Sequence, residues 1–182
     1  MEENKGFSLV ELIIVIAIMA ILVGVMAPLL IKYIEKTNVS ADTQLCDTIH
    51  NAIMTSASDP NVVADDISQE MLYGSGGLLD AGNPTGTRLD CFGSGSQWVT
   101  CAFGENFTEI AGVDVLTIGS NHSQYLKSRT ARDSGIICVV PNQEGTDCAV
   151  YIAWSNRDGD GAGVNYNGTY YGLENSKVIF VK

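Results

Sequence analysis

Polarity divides the chain into three regimes. From Phe7 to Ile31 apolar residues follow one another, with Glu11 as the only charge. As a helix rising ~1.5 Å per residue, this span reaches roughly 37 Å, enough to cross a hydrocarbon core of about 30 Å. Beyond it, apolar residues recur at Leu30, Ile34, Leu45, Ile49, Ile53 and Met54. That spacing of three and four predicts a helix that continues with a single buried face. The run S-A-S-D-P at residues 56–60 should end it, because proline restricts the residue before it. One helix of ~50 residues, roughly 75 Å long, is therefore expected.

Residues 58–96 read as a connection, with one short helical stretch at Asp66–Tyr73 followed by glycine-rich segments. The third regime, residues 97–182, reads as an antiparallel sheet. Runs rich in branched and aromatic residues occur at Gln97–Phe103, Val113–Ile118, Ile136–Val140, Cys148–Trp154 and Lys177–Val181, each bounded by turn formers. The predicted fold is α+β: a long N-terminal helix, residues 7–31 as a transmembrane half and 32–57 as an amphipathic half, packed on a C-terminal sheet head.

Composition narrows the function. A net charge of −11 speaks against a nucleic-acid surface, which needs clustered lysine and arginine. Lys127, Arg129 and Arg132 form one compact basic patch, read as a solvated loop. His50 and His122 stand apart, and no nucleophile, base and orienting group share a motif, so catalysis is not expected. His50 reads as a surface or packed side chain and not as a ligand.

Five cysteines, Cys46, Cys91, Cys101, Cys138 and Cys148, leave one unpaired if two bridges form. Cys91/Cys101 and Cys138/Cys148 share a separation of ten, which makes two local loops the simplest of 15 arrangements. A hairpin between the last two would close a loop stabilising by about 2–3 kcal/mol in the chain-entropy model. Asn156, Asp158 and Asp160, alternating before Gly161, match the start of a calcium loop. The twelfth position is Asn167 and strand-like runs flank it, so an EF-hand is excluded. A calcium loop outside that fold and a simple hairpin turn both remain open.

The N-terminus carries the sharpest signal. A carboxylate within an apolar helix costs about 2.5–3.5 kcal/mol at the bilayer centre and less near an interface, so Glu11 needs a partner. Lys5, Gly6 and Phe7 precede it, and Pro28 is the twenty-second residue counted from Phe7. This constellation resembles the class III signal of type IV prepilins, a family that includes the pseudopilins of secretion systems. The resemblance implies a leader of residues 1–6, cleavage between Gly6 and Phe7 by a prepilin peptidase, and N-methylation of Phe7. It also implies pairing of the new amine with Glu11 of a neighbouring subunit, and assembly on a pilus platform with other pilin subunits. Residence in the cytoplasmic membrane would precede a place in a surface pilus serving adhesion, motility or DNA uptake. A secretion pseudopilin, which in some cases holds calcium in a C-terminal loop, is the alternative within the family. A membrane-anchored extracellular binding module is the alternative outside it. Proline at 28 cannot donate to the carbonyl of Gly24, so the helix should kink or loosen there. Basic residues flank the apolar span on both sides, Lys5 before it and Lys32 and Lys36 after it, so charge alone does not orient it.

Overall fold

The computed structural model describes residues 8–83, 86–89, 97–155, 162–166, 169–173 and 176–181. The chain divides into two compact units, residues 1–37 and 38–182. One helix, α1 (Leu9–Ala57), contributes its first part to one and its second part to the other.

In the first unit, every large apolar side chain between Leu9 and Ile34 is exposed; even the most covered, Val15, is 47% accessible. The apolar residues are distributed all round the axis, so no single face could bury them. The helix is long and apolar enough to cross a membrane. Its course is helical through Pro28.

In the second unit, α1 becomes one-sided. Asp42, Cys46, Ile49, Ala52, Ile53 and Ser56 are buried, while Leu45 and Met54 are partly covered. Hydroxyls of Thr43 and Thr48 donate to the carbonyls of Val39 and Gln44, which keeps these polar groups satisfied on the helix surface. The helix stops where expected. Asp59 caps α2 (Pro60–Val63), accepting from the Asn61 amide at 2.8 Å, and Pro60 occupies the position where a missing N–H costs least.

The predicted short helix is present as α3 (Asp66–Tyr73), capped by Asp65. A two-residue strand, β1 (Thr87–Arg88), follows. Two predicted strands are instead helical. Gln97–Phe103 is divided between α4 (Gln97–Thr100) and the start of α5 (Ala102–Ala111), and Val113–Ile118 is largely α6 (Val115–Ser120). Capping decides against the branched residues. Cys101 and Asp114 occupy the N-caps, and Gly112, at φ 74°, ends α5 in a left-handed turn. Phe103 and Phe107, and then Val115 and Ile118, are buried at spacings of four and three. The helical period thus overrides the strand propensity of a short window. Two further short helices, α7 (His122–Tyr125) and α8 (Arg129–Ser134), lead into the sheet.

The sheet is antiparallel. β2 (Gly135–Pro141) pairs β3 (Cys148–Ser155), β3 pairs β6 (Ser176–Val181), and β1 closes the other edge, giving the order β1-β2-β3-β6. β4 (Ala162–Tyr166) and β5 (Thr169–Leu173) form a separate two-stranded ladder. Ile137, Val139, Cys148, Val150 and Ile152 join Cys46, Ile49, Ala52 and Ile53 of α1 in one core, with Phe103 and Phe107.

That alternation corrects the disulfide expectation. In the ladder Cys138 lies opposite Tyr151 and Cys148 opposite Pro141, so the two cysteines are not cross-strand partners. Positions 138 and 141 differ by an odd number, which places the two sulfurs on opposite faces. Cys148 is a free thiol in the core, as is Cys46. Burial pushes Cys46 up to about 12, with the nearby Asp42 and Asp47 adding, and burial with Asp147 does the same for Cys148. Cys101 contributes its Sγ to the α5 cap and lies 3.9 Å from Met71 Sδ.

Candidate assembly site

The first turn of α1 is built from S-L-V-E at residues 8–11. Glu11 Oε2 accepts from the Ser8 backbone amide at 2.9 Å. This is the glutamate half of a capping box, in which the side chain of the third helical residue reaches back to an amide that has no intrahelical partner. The negative carboxylate also faces the positive end of the helix dipole. Glu11 is thereby held on the exposed surface of its own helix terminus. The S-x-x-E spacing was present in the sequence, and Ser8 is the residue that the reading of Glu11 alone overlooks.

Gly24 borders no neighbour: a Cβ built there meets nothing within 4 Å. Pro28 lies one turn later within α1. The residues expected at the cleavage point, Gly6 and Phe7, lie outside the described residues, as do Cys91 and the calcium-loop side chains of Asn156, Asp158 and Asp160.

Within the head, two carboxylates overlooked by the apolar pattern hold elements together. Asp42, fully buried on α1, accepts from the backbone amides of Lys127 at 2.6 Å and Ser128 at 2.8 Å. The basic patch is therefore tied to α1 through its backbone, while the side chains of Lys127, Arg129 and Arg132 are exposed. Asp65 Oδ2 accepts from Ser68 Oγ at 2.5 Å and from the Ala102 amide at 3.2 Å, and Ser68 Oγ accepts from the Phe103 amide at 2.9 Å, joining the starts of α3 and α5. The Ser68 hydroxyl, above all, holds the Asp65 carboxyl below its ordinary value, with the Ala102, Ser68 and Ile67 amides adding, against a smaller opposing effect of desolvation. His50 Nε2 lies 3.0 Å from Asp147 Oδ1, a packed and half-exposed side chain on the β2–β3 turn.

Residues 2–27 match the family described as the prokaryotic N-terminal methylation motif. The chain is similar to a fimbrial protein of Moraxella nonliquefaciens, at 38% identity over 65 residues, 36% of this chain and 42% of that protein. It thus spans less than half the length of this curated relative. No solved structure matches it. The N-terminal segment of the chain carries the class III signal of type IV pilins.

Proposed function

We propose that the chain is a structural subunit of a type IV pilus, held in the membrane by the first part of α1 and then assembled through the same surface. One observation carries this reading: the methylation motif at residues 2–27 runs into a helix whose large apolar side chains from Leu9 to Ile34 are all exposed. Such a surface is stable only under lipid or under other apolar helices, and a filament core of packed copies supplies the second. Cleavage between Gly6 and Phe7 by a prepilin peptidase, followed by methylation, frees an amine for Glu11 of the next subunit. Adhesion, motility or DNA uptake would then be properties of the fibre.

Glu11 variants test the reading in cells. Glu11→Gln retains an acceptor for the Ser8 amide but loses the charge, so it should insert and be processed normally yet fail to enter fibres seen by immunogold electron microscopy. Wild-type fibre yield from Glu11→Gln refutes the assembly role, and retention of residues 1–6 in the mature chain refutes the whole reading.

A further inference from the structure

The end of the apolar span carries a feature that assembly does not explain. Leu29, Lys32, Tyr33 and Lys36 line one shallow groove of about 190 Å³ on a single face of α1. All four side chains are exposed, Tyr33 at 69%. Glu35, the acid in the same turn, is half-buried and does not line it.

We propose that this collar binds the headgroup of an anionic phospholipid and so fixes the depth at which the subunit rests in the membrane. The inference rests on the membrane reading given under Proposed function. Position comes first: the apolar run ends at Ile31 and Lys32 follows it directly. Along a helix, Lys36 lies about 6 Å beyond Lys32, which places both ammonium groups within a headgroup layer roughly 5–7 Å deep. Down one face the groove passes from Leu29, suited to acyl chains, through Tyr33, whose ring and hydroxyl suit the boundary, to two cations.

Charge singles out the occupant. No other basic residue follows Lys36 until Arg88, whereas Asp42, Asp47, Asp59, Asp65, Asp66, Glu70 and Asp80 fall between. A protein of net charge −11 is repelled by an anionic bilayer, and these two lysines are the cations placed at its surface to offset that. They also stand on the side of the span opposite the leader, where the preference for cytoplasmic lysine gives them no role. Attraction to an anionic surface gives them one.

The test uses the full chain in nanodiscs of mixed phosphatidylcholine and phosphatidylglycerol, with the lipids retained on the protein counted by native mass spectrometry. At about fivefold per lysine, the wild type should prefer phosphatidylglycerol roughly 25-fold. The double variant K32Q/K36Q should lose that preference, K32R/K36R should keep it, and K127Q in the head should leave it unchanged. A wild type that inserts without preference, or a K32Q/K36Q chain that keeps it, overturns the proposal alone. Failure of the wild type to insert overturns the membrane reading along with it. Loss of dimers in K32Q/K36Q with lipid preference intact assigns the groove to a second copy and also overturns the proposal.

Discussion

Replacing Asp42 by alanine should destabilise the head by roughly 3–4 kcal/mol. The carboxylate is fully buried and accepts from two backbone amides far away in sequence, those of Lys127 and Ser128. Alanine leaves both donors without a protein acceptor at a fully buried position. An orphaned amide costs about 1–3 kcal/mol, the lower end applying to the half-covered Lys127 group and the upper to the buried Ser128 group. Asparagine keeps one acceptor oxygen but turns an NH₂ toward an N–H, so Asp42→Asn should cost about half as much. Urea unfolding of the detergent-solubilised chain, followed by near-ultraviolet circular dichroism, reads the difference. With a slope of about 2 kcal/mol per molar, Asp42→Ala should lower the midpoint by roughly 1.5–2 M. Hydrogen exchange at the Lys127 and Ser128 amides should accelerate before global unfolding. A midpoint within about 0.3 M of wild type, with both amides still protected, refutes the clamp.

Two further perturbations probe the head through pH. The buried Cys46 and Cys148 thiols stand at about 12, above the ordinary 9.0, so the folded chain holds these protons more tightly than the unfolded one. Their contribution is complete below pH 9 and is lost as pH rises toward 12, so the urea midpoint should fall steadily across that window. Iodoacetamide at pH 8 should leave both residues unmodified until urea unfolds the chain, and labelling at the unfolded rate refutes their burial. Asp65 shifts the other way: held below its ordinary 3.8, it stabilises the fold above that pH and ceases to as pH falls through the folded value. Asp65→Asn should therefore flatten the midpoint-against-pH curve below about pH 4, and an unchanged slope there refutes the α3–α5 tether.

The elements legible in the sequence are those fixed by a long or strong local pattern. Residues 7–57 show an apolar run and then a period near 3.6, and α1 occupies Leu9–Ala57. Asp66–Tyr73 has a capping aspartate before it and a glycine after it, and α3 matches it residue for residue. The hairpin strands carry enough consecutive branched residues to be read directly. Gln97–Phe103 and Val113–Ile118 misled because six or seven residues can satisfy either period, and caps at Cys101 and Asp114 settle the matter. The Cys138–Cys148 bridge failed on register: equal sequence spacing says nothing of which residues face each other across a ladder. Asp42 was invisible for a similar reason, since its partners are 85 and 86 residues away.

The two parts of α1 differ in what completes them, and that difference connects sequence to function. After Asn38 the helix has a buried face, and its polar exceptions, Asp42 and Ser56, sit within the head. Before that point no large apolar side chain among the described residues is buried. A soluble existence for that segment would leave nineteen large apolar side chains in water, from Leu9 to Ile34, each forfeiting on the order of 1 kcal/mol or more of transfer free energy. Lipid removes that cost, and so do neighbouring copies of the same helix, so the apolar surface by itself discriminates weakly between membrane and filament. Discrimination must therefore come from the polar residue embedded in it. In a lone subunit Glu11 has the Ser8 amide, a neutral donor. In a filament the proposed amine of a neighbour would offer a full opposite charge, replacing a bond between a charge and a neutral dipole by an ion pair, whose attraction is strong where water is excluded. On the proposed reading, that difference, set against a nearly balanced apolar background, would give one carboxylate control over when the helix leaves the membrane.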